Sequence, residues 1–144
     1  MTVTFCGHST VYPLDFVQRW LHEVIEGLIV RGARKFYLGG YGTFDQMAAA
    51  AVWEQKRTHP EITSVLVLPY LDRKVSATEY DYTTYPPLEN VPRRFAISRR
   101  NRWMVDNSDI LVAFVTHDWG GAATTLKYAE RKKKEIIRYT EGSS

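Results

Sequence analysis

The stretch Lys35–Ala50, KFYLGGYGTFDQMAAA, holds the reading of the fold. A short run rich in aromatic and apolar residues stops at three glycines within four positions, Gly39, Gly40 and Gly42. Thr43 then leads into a segment of strong helix formers, with Asp45 close behind the glycines. A strand that turns through glycine directly into a helix is the βα unit of a parallel sheet. Thr43 is the expected N-cap of this helix, and His59-Pro60 its expected end.

Four further runs rich in Val, Ile and Phe read as strands: Val3–Cys6, Ser64–Leu68, Ile110–Phe114 and Glu135–Arg138, beside Lys35–Leu38. Several are too continuously apolar for half-exposed strands, so they are expected to be buried on both faces. Leu14, Val17, Leu21, Val24, Ile25 and Leu28 keep the three-and-four spacing of one helix face, with Gly32 as the stop. SRRNRWMVDNS and ATTLKYAERKKK are the other two helix candidates, the last closing on a cationic turn. Alternation of strand and helix predicts a three-layer α/β sandwich with parallel strands and right-handed crossovers. Residues 69–97, with Pro86, Pro87, Pro92 and four tyrosines, break this rhythm and read as a long loop or lid.

At 144 residues the chain is of single-domain length, and 44% hydrophobic with 24% charged residues is an ordinary globular composition. No apolar run approaches the roughly 20 residues that span a bilayer, so no membrane partner is expected. The start of the chain shows no signal segment, and a single cysteine suits a reducing compartment, so a cytoplasmic location is expected. Cys6 reads as a small buried hydrophobe. The net charge of +3 favours an anionic partner only mildly. The distribution is more telling: Arg93, Arg94, Arg99, Arg100 and Arg102 crowd together, and Lys132, Lys133 and Lys134 form a second cluster.

Three strands end in loops suited to an anion. The first is followed by Gly7, His8, Ser9 and Thr10; the second by Gly39, Gly40, Tyr41, Gly42 and Thr43; the fourth by His117, Asp118, Trp119, Gly120, Gly121, Thr124 and Thr125. Glycine lets the backbone turn and lets amides approach an anion, while hydroxyls and the helix dipole add to the attraction. In an open parallel sheet such loops share the edge where ligands bind. None of them matches the P-loop or GxGxxG, so neither a Walker-type NTPase nor an ordinary dinucleotide enzyme is expected, and no cofactor. His8, His117 and Asp118 can polarise a ligand or exchange protons with it, but their spacing is not that of a zinc site, so no metal is expected. Trp103 and Met104 read as core. Tyr70, Tyr80, Tyr82 and Tyr85 are placed to stack on a base or to pack the long loop.

At these residues the sequence resembles the SLOG superfamily, the Rossmann-like group that includes the Smf/DprA and Lonely-guy proteins, and among them the small bacterial YpsA-like members. Two signatures carry the resemblance, which spans Thr2 to about Arg138. GGYGTFDQMAA is similar to the family's Gly-Gly-x-x-Gly-x-Asp-x-x-Ala stretch, with glycine spacing one residue tighter. RNRWMVDNSDILVAFVTHDWGGAATTLKYA looks like its Arg-bearing helix, Ser-Asp strand and second Gly-Gly turn. The resemblance implies one domain over residues 1–144, residues 140–144 forming a flexible tail, with a sheet of about five strands in the order 3-2-1-4-5. It further implies a nucleotide or nucleotide-derived ligand lying against Gly7, His8, Ser9, Gly39, Gly40, Tyr41, Gly42, Thr43, Asp45, Arg100, Asn101, His117, Gly120, Gly121 and Thr124, and association into homo-oligomers. In Lonely-guy enzymes the second turn reads Pro-Gly-Gly-x-Gly-Thr-x-x-Glu. Here Gly120, Gly121 and Thr124 are kept, but Trp119, Ala123 and Lys127 replace the proline, the third glycine and the catalytic glutamate. The expectation is therefore a binding module, a sensor or scavenger of a nucleotide. The alternatives are N-glycosidic cleavage with Asp45 or Asp118 as the acid, and single-stranded nucleic-acid binding through the basic clusters and tyrosines.

Overall fold

The computed structural model describes residues 1–71 and 79–140. The remainder of the expected long loop, 72–78, and the expected tail beyond 140 lie outside the described residues. Six strands, β1 (Thr2–Gly7), β2 (Lys35–Leu38), β3 (Thr63–Val67), β4 (Tyr82–Thr84), β5 (Ile110–Phe114) and β6 (Glu135–Arg138), form one sheet in the order β4-β3-β2-β1-β5-β6. Every neighbouring pair is parallel. The helices are α1 (Leu14–Val30), α2 (Gly42–Gln55), α3 (Ala96–Asp106) and α4 (Gly121–Arg131), with a 3₁₀ turn at Arg93–Phe95. This is a doubly wound, Rossmann-like arrangement, and the five expected strands stand in the expected order.

Two expectations need correction. Residues 69–97 are not all loop: Tyr82–Thr84 add a sixth strand to the β3 edge, and the stretch ends in the 3₁₀ turn and the start of α3. The strand is held by Asp81, whose Oδ2 accepts from Ser64 N–H at 2.7 Å and pairs with Lys56 Nζ at 3.0 Å. Thr43 is not the N-cap of α2. Gly42, at φ +79°, starts the helix earlier, and Tyr41 takes the cap position in extended conformation.

The layers follow from alternation along the strands. Val3, Phe5, Ile110, Val112 and Phe114 point to the face covered by α1 and α2. Cys6, Leu111 and Ala113 point to the other, where Val105 of α3 and Leu126 and Ala129 of α4 cover them. β5 is buried at every position, as its unbroken apolar run requires. α2 buries Phe44 with three alanines, Ala48, Ala49 and Ala51, and Val52. The edge strands carry the exposed polar positions, Glu135 and Arg138 of β6 among them, which discourages further strand pairing. The chain winds outward from β1 through β2 and β3 to β4, then returns on the opposite side of β1 to form β5. That reversal places a crevice beyond Gly7 and Phe114, the paired ends of β1 and β5.

Candidate functional site

The crevice is a cleft of about 700 Å³. Of the residues expected at a site, Gly7, His8, Ser9, Tyr41, Gly42, Asp45, Arg100, Asn101, His117, Gly120 and Gly121 line it. Gly39, Gly40, Thr43, Thr124 and Asp118 do not. Asp118 lines a separate depression of about 320 Å³ with Lys127 and Glu130, so it does not face His8 across the crevice. Thr125, not Thr124, reaches the cleft, together with Thr10, Thr116 and Trp119. α4 begins at Gly121, and Thr125, unlike Thr124, is on the buried face of the helix.

The glycines answer to close contacts as much as to an anion. A Cβ at Gly7 would fall on the ring of Phe44, which is fully buried. At Gly42 it would stand 2.9 Å from Ser9 Cα, in a left-handed backbone that side chains disfavour. Thr43 N–H donates to Ser9 O at 3.2 Å, so the loops after β1 and β2 are locked together here. At Gly39 a Cβ would lie 3.0 Å from Asp45 Oδ2 and 3.4 Å from the Arg100 guanidinium. Gly39 thus leaves room for a charged pair beneath the loop.

Arg100 is 1% exposed, whereas Arg93, Arg94, Arg99 and Arg102 are exposed. Its Nη1 donates to Gly39 O and to Val67 O, each at 2.8 Å, and its Nε to Asn101 Oδ1 at 2.9 Å. The guanidinium therefore ties the carboxyl ends of β2 and β3 to α3, while its side chain forms part of the cleft wall. Asp45 Oδ2 accepts from Tyr41 N–H at 3.0 Å, holding the glycine loop from the first turn of α2. Burial pushes the Asp45 carboxyl up to about 6, against the opposing pull of the Tyr41 amide and the Arg100 charge. Cys6, which also lines the cleft, is 6% exposed, and burial pushes its thiol far up, which disfavours the thiolate.

Also in the lining, His8 Nε2 accepts from Thr116 N–H at 2.9 Å, so the proton of the neutral ring sits on Nδ1. Burial, and then the neighbouring His117, hold His8 below its ordinary value. His117 Nδ1 is buried without a hydrogen-bond partner. Neither α2 nor α4 has a side-chain cap; Gly120 and Gly121 bring the N-terminus of α4 to the cleft, while at α2 Gly42 lines it and the Thr43 N–H is taken by Ser9 O.

Other expected residues lie elsewhere. None of Tyr70, Tyr80, Tyr82 and Tyr85 lines the cleft. Tyr70 receives Arg93 on its ring at 4.0 Å, and Tyr80 packs against the α1–α2 core. Trp103 is half-buried on Tyr37, and Met104 is buried on the cleft wall. Lys132, Lys133 and Lys134 follow the C-terminus of α4, roughly 16 Å along the helix from the cleft at 1.5 Å per residue. Among the described residues no group of three His, Cys, Asp or Glu is placed to hold a metal, and no helix is long and apolar enough to cross a membrane.

No family model and no curated protein matches the chain. Among solved structures, it is similar to DNA processing protein A from Helicobacter pylori, a structure described for its single-stranded DNA binding mode. The TM-score is 0.66 at 16% identity, covering 100% of this chain and 68% of the other. At that identity the likeness is one of fold.

Proposed function

We propose that the chain is a SLOG-type binding module that holds a nucleotide or nucleotide-derived anion at the carboxyl edge of its sheet. One observation carries this reading: the loops after β1, β2 and β5 close on a single cleft where two helix N-termini without side-chain caps lie. Ser9 and Thr10 add hydroxyl groups to the lining. A phosphate meets there the partial positive charge of two helices, in a cleft of the size that small ligands occupy.

Binding without turnover is the better reading of the carboxylates. Asp45 is engaged by the Tyr41 amide beside Arg100, and Asp118 is not among the residues that line the cleft. The position of the catalytic glutamate in the enzymes the sequence resembles is held by Lys127, whose Nζ donates to Asp118 O at 3.4 Å.

Single-stranded nucleic acid is the second reading, favoured by the fold likeness and by the exposed arginines around the start of α3. Arg102 of α3 meets the basic end of α4 on the ring of Tyr128, where Arg102, Arg131 and Lys132 lie 5.2, 5.7 and 5.5 Å from the ring centroid.

Native mass spectrometry of the purified protein with mono-, di-, tri- and cyclic nucleotides tests the proposal. Retention of one intact nucleotide is the expected result. Release of free base would put an N-glycosidase in its place. Binding of only a longer strand, with affinity falling steeply with salt, would favour the second reading.

A further inference from the structure

Three rings are stacked at the mouth of the cleft. His8 lies parallel to His117, centroids 3.6 Å apart and planes 11° from each other. His117 lies in turn on Trp119 at 3.6 Å and 20°. The inner end of this column is anchored: His8 takes the Thr116 amide proton, and its ring meets buried Phe114 edge-on at 6.0 Å. At the outer end Trp119 is 67% exposed while still lining the cleft.

A large aromatic surface left in water gives a ligand apolar area to bury. Here the indole is also held in orientation by the imidazole behind it, so little side-chain freedom remains to be lost on binding. Trp119 directly precedes Gly120 and Gly121, at which the N-terminus of α4 opens. A ligand with its phosphate on those amides has its other end within reach of the indole. The four loop tyrosines are outside the cleft, and Tyr41, which lines it, has its ring against the Arg100 guanidinium at 5.3 Å.

From this geometry we infer that Trp119, backed by His117 and His8, is a stacking platform for an unpaired nucleobase. The inference rests on the anion-cleft reading above and extends it: the ligand must carry a base, and a sugar phosphate alone does not use the whole site. The base can belong to a free nucleotide or to one unit of a single strand. Stacking on a ring tolerates any base, so the platform selects for a base without choosing which.

The test compares wild type with Trp119→Ala and Trp119→Phe by titration calorimetry and tryptophan fluorescence. The probes are the ribonucleoside 5′-monophosphates and triphosphates, ribose 5-phosphate, and a short thymidine oligonucleotide. Trp119→Ala should weaken base-bearing probes by roughly 5- to 150-fold, the span of one lost base–aromatic stack. It should leave ribose 5-phosphate unchanged. Trp119→Phe should stay within roughly threefold of wild type and abolish the fluorescence quench. Whether the loss falls on mononucleotides or only on the oligonucleotide identifies the source of the base. Undiminished binding of every base-bearing probe by Trp119→Ala overturns the platform and leaves the anion cleft standing. An equal loss for ribose 5-phosphate overturns it too, since Trp119 would then act on the loop. If wild type binds none of the probes, the cleft reading falls and the platform with it.

Discussion

Asp45→Asn should stabilise this protein at alkaline pH and do little at acid pH. In the folded chain the carboxyl titrates at about 6, against an ordinary 3.8, because burial outweighs the Tyr41 amide and the Arg100 charge. Between those values the native state binds more protons than the unfolded state, so stability falls as pH rises through the window. At 1.36 kcal/mol per pH unit the penalty reaches at most about 3 kcal/mol above pH 6. Asparagine cannot ionise, and its Oδ1 can still accept from Tyr41 N–H. Urea denaturation of both proteins at pH 4 and pH 8 gives the difference directly, with the m-value as a check that the unfolded states are alike. The expected result is near-identity at pH 4 and a higher midpoint for Asp45→Asn at pH 8. A variant no more stable than wild type at pH 8 would refute the reasoning, because Arg100 would then compensate the buried carboxylate in full.

Three further outcomes are expected. Gly42→Ala should cost about 2–4 kcal/mol, from the left-handed backbone and the approach to Ser9 Cα, while Gly27→Ala, where the space around the helix is open, should gain up to about 1 kcal/mol; urea denaturation reads both. Arg100→Met should cost about 3–5 kcal/mol, since it strips the Gly39 and Val67 carbonyls of a buried donor and leaves Asp45 uncompensated, and its midpoint should recover in part when Asp45→Asn is added. By NMR, His8 should titrate below 6.5, and the Thr116 amide resonance should move in the same pH window, because protonated Nε2 can no longer accept from it; a Thr116 amide indifferent to His8 would break that link.

The sequence was most legible where one physical cause dominates. Lys35–Leu38, Ile110–Phe114 and Glu135–Arg138 are strands with the bounds expected, since apolar or β-branched runs between breakers have few other uses. β4 was invisible: three residues, mostly exposed, made strand by the β3 edge and by the Asp81 contacts rather than by their own preference. The cleft was legible as a set of loops but not residue by residue. Arg100 looked like one of five clustered arginines, and only the packing of α3 under the β2 and β3 ends sets it apart. Trp119 reads as a substitution in a motif, because the His8 ring that backs its partner His117 is more than a hundred positions away and leaves no local signal. Gly7 was read for its backbone, yet the ring of Phe44 also requires it.

The strand order has a bearing on how the protein is made. Synthesis delivers residues 2–84 first, and these supply β4, β3, β2 and β1 as one continuous half-sheet whose inner border, along Val3–Gly7, stays unpaired until Ile110–Phe114 emerges. An apolar parallel border waiting for its partner invites the wrong one, so the nascent chain is most vulnerable during that interval. The cleft straddles this same seam, with Ser9, Tyr41 and Asp45 contributed early and His117, Gly120 and Gly121 late. A ligand lodged there would act as a clasp across the junction, favouring the closed register of the two halves over any misaligned one.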